Sequence, residues 1–177
     1  DLVTVTNDKL KTEFLAYNKN VRTLPNYISD DLWPEYFEKN SNLEKITMLF
    51  SGTLTHQTDL QTIEDAIIEI LDEYDTKVDL IYWGNITNKL KSHKNVSSVD
   101  SYIRSYPEYA SKLRTINAQI GLIPLEINEF NKSKSNIKWL EYSACKITSV
   151  MTDINAYNSS VKNLRTGVLV NNTFEEW

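Results

Sequence analysis

The chain has a single cysteine, Cys145, so no internal disulfide can form and a reducing compartment is the default. No apolar run approaches the roughly 18–20 residues that a membrane-spanning helix needs. No leader peptide is expected from the opening residues: Asp1 begins a polar stretch. Four glycines and four prolines in 177 residues leave little room for long low-complexity linkers. Basic excess is also missing. The net charge is −5, which argues against a general nucleic-acid surface but leaves room for a local basic pocket around a small phosphate ligand. The fingerprint G-x-G-x-x-G is absent, so NAD or FAD is not indicated. His56 and His93 are far apart and lack metal-ligand spacing, and no metal site is expected. The carboxylate clusters Asp30-Asp31 and Asp72-Glu73-x-Asp75 read as solvated acidic surface. No Ser-His-Asp or Cys-His arrangement is legible, Cys145 reads as a small buried hydrophobe, and no catalytic residue can be named.

What is present is a globular composition: 41% hydrophobic and 24% charged, enough to bury one core of ordinary size with an appendage. Short β-type runs alternate with longer helical patterns. Leu2–Thr6 and Val21–Leu24 read as short strands around a helical Asp8–Tyr17, and 30–42 as a connection. The organised domain starts near Lys45. Ile46–Phe50 is a continuous apolar run, as expected of a strand buried on both faces. A helix follows, with Thr58 as N-cap and Gln61 at capping-box spacing; Leu60, Ile63, Ile67, Ile70, Leu71 and Tyr74 share its inner face. Val78–Trp83, Val96–Val99, Gln119–Pro124, Lys146–Met151 and Val168–Val170 read as further strands. Helices are expected over 85–93, 106–115, 132–144 and 154–160. Such alternation means βαβ units and a parallel sheet with helices on both faces, an α/β, Rossmann-like class. Ligands of such sheets bind beyond the carboxyl ends of the strands.

Two segments there carry the chemistry. After the first buried strand, Gly52 lets backbone approach a ligand, Thr53 can donate to a phosphate oxygen, and His56 can face it. An ordinary strand-to-helix turn has the same composition. The second segment runs from Asn128 to Tyr142. With a helix from Lys132, Ser133, Lys134 and Ser135 crowd its start, where bound anions are favoured and cations are not. Lys138 and Glu141 continue along the face of Lys134. Glu141 offers two acceptor oxygens, suited to the vicinal diol of a ribose. Phosphate site followed by diol acceptor fits a nucleoside diphosphate lying along the helix. The same pattern also describes a solvated face with a Lys138–Glu141 pair at i, i+3. Tyr102, Tyr106 and Tyr109 can either stack on a base or fill the core.

The stretches ITMLFSGTLTH, QIGLIPLEINEFNKSKSNIKWLEYSA, KITSVMTDINAY and TGVLVNN, in this order, resemble the C-terminal domain of GT-B glycosyltransferases, specifically glycosyltransferase family 4. The second contains the region of that family's E-x7-E motif. It is similar to the branch reading N-x-x-K-S-x-x-K-W-x-E-Y-x-A. Upstream, DLVTVTNDKL and LPNYI resemble the end of the N-terminal domain and the linker after it. The resemblance implies residues 1–40 as that end and linker, and 41–177 as a nucleotide-sugar-binding domain whose last helix, begun at Phe174–Trp177, is cut short. The starting Asp1 is likewise expected of a fragment. It implies retaining transfer from a nucleotide-diphosphate sugar without a metal or cofactor. The acceptor would be a glycan or lipid-linked molecule, bound through the N-terminal domain. Surface polysaccharide or glycolipid assembly would be the setting, in the cytoplasm or peripherally at the inner face of the membrane. Glu141 matches the second Glu of the motif, the ribose ligand. Ser133 stands where the first is expected, with Glu129 and Asn131 nearby, and Thr53 stands where the family has Arg. Lys134 and Lys138 are the positive charge at hand. Ser133 also suits a catalytically degenerate module that binds a nucleotide or a partner without turnover. A third reading is an unrelated Rossmann-like domain, such as an epimerase or phosphate-ester enzyme, with its pocket elsewhere.

Overall fold

A computed structural model describes residues 1–39, 44–99 and 103–177. The apolar runs form the strands, and their burial explains the pattern. Strand β1 (Val3–Val5), helix α1 (Asp8–Phe14) and strand β2 (Val21–Thr23) make a small parallel two-stranded unit. Helix α1 is capped by Asn7, which accepts from the Leu10 N–H, and buries none of its residues.

The main sheet begins with β3 (Ile46–Gly52), followed by a 3-10 turn over Leu54–His56, α2 (Gln57–Gln61) and α3 (Glu64–Glu73). Next come β4 (Val78–Gly84), α4 (Asn88–Lys91), β5 (Val96–Ser98) and α5 (Tyr106–Thr115). Then follow β6 (Ile120–Ile123), α6 (Glu129–Lys132), α7 (Ile137–Ala144), β7 (Thr148–Thr152), α8 (Asn155–Asn158) and β8 (Val168–Val170). The six strands β3 to β8 lie in the order β5-β4-β3-β6-β7-β8, and every pairing is parallel. The chain therefore leaves β3 in one direction along the sheet and returns on its other side at β6. That reversal opens a crevice at the carboxyl ends of β3 and β6.

Alternation along β3 feeds two cores. Leu49 packs with Leu113, Ile123, Tyr142 and Met151 on the side of α5, α7 and α8. Met48 and Phe50 pack with Leu60, Ile67, Leu71 and Leu80 on the side of α2 and α3. The expected inner face Leu60, Ile63, Ile67 and Leu71 is buried, whereas Tyr74 is exposed. Thr58 is not an N-cap: α2 starts one residue earlier, continues the 3-10 turn, and is separated from α3 by a break at Thr62-Ile63. The described part of the connection ahead of the sheet, 30–39, is docked against it. Trp33 joins the core, Arg114 donates to the Leu32 carbonyl, and the Lys39 ammonium reaches the carbonyls of Ala118, Cys145 and Lys146. The expected division at 40–41 lies outside the described residues.

The larger correction concerns the helix expected over 132–144. It is two helices with a turn between them: Asn128 caps α6 by accepting from the Asn131 N–H, and α7 starts only at Ile137. Asn7, far upstream, donates to the carbonyls of Ser133 and Lys134, which a continuous helix would have used internally.

Glycine is required where α7 crosses the sheet. A Cβ on Gly121 would sit 2.2 Å from the Tyr142 ring, and Tyr142 is fully buried with its hydroxyl 2.9 Å from Ser51 Oγ. Neither group has room to retreat. Gly121→Ala is expected to lower unfolding free energy by about 1–3 kcal/mol, the usual range for an overpacked core, read from urea denaturation.

Candidate functional site

The crevice at the carboxyl end of β3 is a cleft of about 450 Å³ lined by Ser51, Gly52, Thr53, His56, Trp83, Gly84, Asn85, Ile103, Tyr109 and Lys138. Its floor depends on the ends of two neighbouring strands. Gly52 pairs with Gly84, the Asn85 N–H donates to the Gly52 carbonyl at 2.8 Å, and Gly84 has φ +101°. A Cβ on Gly84 would meet the Gly52 oxygen at 2.2 Å, so only glycine lets the two backbones close here.

Helix α7 forms one wall. Lys138 donates to the Ser51 carbonyl at 2.6 Å and lies 5.9 Å from the centre of the Phe50 ring. The residue keeps partial exposure at the cleft, but its ammonium is enclosed by protein, and burial lowers its pKa to about 8 against the pull of the Glu141 charge. Among the described residues Lys138 makes no ion pair.

Glu141, one turn further, is 6% exposed and is not paired with Lys138 as the i, i+3 spacing suggests. Its two oxygens accept from the hydroxyls of Tyr106 at 2.9 Å and Tyr109 at 3.0 Å. Burial pushes the carboxyl above its ordinary value, while the two tyrosine bonds and Lys138 pull it back. Burial, aided by the carboxylate, pushes Tyr106 up to about 12. Tyr109 is stacked on Trp83 at 5.0 Å and on Tyr106 at 5.9 Å, so the two tyrosines join the carboxylate to an aromatic wall. Tyr102 lies outside the described residues.

The remaining expected residues divide. His56 and Thr53 line the cleft with Gly52 and Lys138. Ser133, Lys134 and Ser135 fall in the turn between α6 and α7 and do not line it. Ser133 donates to Glu13, Ser135 accepts from Asn26 Nδ2 at 2.6 Å, and Lys134 lies 3.6 Å from Asp59 and near the Phe130 ring. These three face two hollows shared with the β1-α1-β2 unit. Glu129 is exposed and pairs with Lys9 and Lys132, while Asn131 is buried against Asp59. His93 bonds Asp72 away from the cleft.

Asp59 was not singled out by the sequence, although its i, i+3 spacing from His56 is that of a helical pair. It is buried and accepts from His56, the Glu126 N–H and Asn131. Among the described residues no group of three His, Cys, Asp or Glu could hold a metal, and no helix is long and apolar enough to cross a membrane.

No family model and no curated protein matches the sequence. Solved structures do. The lipopolysaccharide-biosynthesis glycosyltransferase WaaG is 14% identical, with a TM-score of 0.69 over 95% of this chain and 48% of its own. The C-terminal domain of a group 1 family glycosyltransferase (LpcC) from Francisella tularensis is 16% identical, with a TM-score of 0.59 over 82% of this chain and 80% of that domain. The pneumococcal O-GlcNAc transferase GtfA, solved with UDP and GlcNAc, is 12% identical, with a TM-score of 0.67 over 97% of this chain and 34% of its own. This chain thus spans about half the length of WaaG and less of GtfA. At these identities the likeness is one of fold: a parallel six-stranded Rossmann-like domain of the kind found in GT-B glycosyltransferases.

Proposed function

We propose that this chain is the donor-binding half of a glycosyltransferase, holding a nucleotide-diphosphate sugar for retaining transfer in surface polysaccharide or glycolipid assembly. The observation that carries the proposal is Lys138. An enclosed ammonium with a carbonyl partner and no ion pair, at the carboxyl end of the central strand, is chemistry prepared for an anion. The diphosphate lies against Lys138, Gly52, Thr53 and His56. The base lies towards Trp83 and Tyr109, and the ribose reaches Glu141 by replacing a tyrosine hydroxyl. Lys138 and the oriented backbone stabilise charge on the departing diphosphate. No metal or cofactor is part of this reading.

The β1-α1-β2 unit supports the second half of the proposal. A two-stranded parallel sheet with a helix that buries no residue has little core of its own beyond Val5 and Val21. It reads as the edge of a second α/β domain that would bind a glycan or lipid-linked acceptor. Ser133 and Ser135 meet this unit and so belong to the interdomain side. One observation favours the rival reading, a degenerate nucleotide- or partner-binding module: both Glu141 oxygens already have partners.

Titration calorimetry with UDP, GDP, ADP, CMP and dTDP tests the proposal. One diphosphate is expected to bind, and Glu141→Gln is expected to weaken it by about tenfold or more, as when a hydrogen bond to a charged group is lost. Binding that ignores Glu141→Gln favours the degenerate module, and no binding by any of the five overturns the donor reading. Glu141 also makes stability depend on pH. A carboxyl raised in the fold contributes stability that is complete below its unfolded value, near 4.5, and lost as pH rises through the folded value. Urea denaturation is therefore expected to show the wild type losing part of its stability as pH rises from about 4.5, and Glu141→Gln lacking that loss.

Lys138 sets a second pH window. A bound diphosphate favours the charged ammonium, so the Lys138 contribution to affinity is complete below about 8 and declines as pH rises past it. For one proton the slope cannot exceed about tenfold per pH unit. Calorimetry between pH 6.5 and 9.5 is expected to show this decline in the wild type, and Lys138→Met is expected to lose the part of it centred near pH 8.

A further inference from the structure

The two nitrogens of the His56 ring have different surroundings. Nδ1 lies 2.8 Å from Asp59 Oδ2. Asp59 is 2% exposed. Burial pushes its carboxyl up, but the bonds from His56 and the Glu126 N–H and the charge of Lys134 outweigh it and hold the group below its ordinary value. An ionised carboxylate only accepts, so Nδ1 carries a proton. The ring nitrogens diverge, which turns Nε2 away from Asp59. Nε2 makes no hydrogen bond among the described residues, although His56 lines the cleft beside Gly52, Thr53 and Lys138.

Asp59 cannot swing aside. Its Oδ1 accepts from the Glu126 N–H at 2.7 Å and from Asn131 Nδ2 at 2.9 Å, and Lys134 stands 3.6 Å from Oδ2. The carboxylate is thus fixed by the segment after β6 while it holds a ring that belongs to the turn after β3. A carboxylate on one imidazole nitrogen sets the tautomer and favours the doubly protonated ring when an anion meets the other nitrogen.

We propose that Asp59 is a positioning residue that presents His56 Nε2 to the terminal phosphate of a nucleoside diphosphate, so that the site selects diphosphate over monophosphate. The proposal rests on the donor reading above. In the complex the ring carries a proton on both nitrogens and donates Nε2–H to a phosphate oxygen, while Lys138 supplies the second cation. No covalent bond changes.

The test combines calorimetry with the 15N spectrum of His56. The probes are the diphosphate that binds best, its monophosphate and inorganic pyrophosphate. His56→Leu is expected to weaken diphosphate binding by about ten- to a hundredfold, the loss of a hydrogen bond between charged groups, and to leave the monophosphate nearly unchanged. In Asp59→Asn the amide donates to Nδ1, so the His56 proton is expected to move to Nε2; the ring can then no longer be protonated on both nitrogens against the phosphate, and the preference for diphosphate is expected to fall. Equal losses for mono- and diphosphate, or an unchanged tautomer in Asp59→Asn, would overturn the proposal. Should Asp59→Asn not fold, the wild-type Nδ1–H signal and the shift of Nε2 on adding pyrophosphate decide it. A nucleotide that binds without moving Nε2 leaves the donor site standing and sinks this inference. A pyrophosphate that moves Nε2 when no nucleotide binds supports the His56 assignment and sinks the donor reading.

Discussion

Helix α7 is fastened to the central strand through one residue, Ser51, and the cleft depends on that fastening. The Ser51 hydroxyl meets Tyr142 and its carbonyl meets Lys138, from adjacent turns of the same helix. The backbone of Gly121 lies under the Tyr142 ring, so the helix sits as low on the sheet as atoms allow. This height brings Lys138 to the carboxyl end of β3 and places Glu141 within reach of α5. A hydroxyl and a carbonyl on one strand residue thereby fix the position of a cation and, indirectly, of a carboxylate.

With that geometry set, the charges on α7 divide instead of pairing. Lys138 and Glu141 are at a spacing that would allow an ion pair on a solvated helix. Here two tyrosine hydroxyls from α5 satisfy Glu141, and Lys138 keeps only a carbonyl. Both groups are ionisable and shifted against their charged forms by burial. A fold selected for stability alone would gain by neutral residues at these positions. Two such groups beside a cleft, each penalised and not cancelling the other, are more readily explained by a ligand that uses both.

The sheet was legible in the sequence because its central strands are largely buried on both faces and so read as mostly apolar runs: Ile46–Phe50, Val78–Trp83 and Gln119–Pro124 each became a strand. Gly52, Thr53, His56 and Lys138 were placed by the rule that ligands gather at strand ends, and the structure brings them to one cleft. The segment 133–136 was not legible. Its local pattern favours a helix, and what breaks it is Asn7, more than a hundred residues upstream, which takes two carbonyls from the turn. Asp59 was missed for a related reason. Its meaning comes from Glu126 and Asn131, which no local window joins to it. The tyrosine partners of Glu141 were visible only as a helical i, i+3 pair, which core packing explains equally well.

The break at 133–136 also separates two kinds of contact that a continuous helix would have merged. Lys138 and Glu141 stay with the sheet, fixed by Ser51 and by α5. Ser133 turns to Glu13 of the small parallel unit, and Ser135 to Asn26 just after it. The turn therefore lies between a wall of the cleft and a neighbour that has little core of its own. Asp59 spans the same gap from below, holding Asn131 and Lys134 on one side and His56 on the other. Any movement of the small unit against the main sheet would pull first on the Ser133–Ser135 turn. It would reach the cleft through Asp59 and His56 before it reached Lys138, which is tied to the central strand by a direct bond.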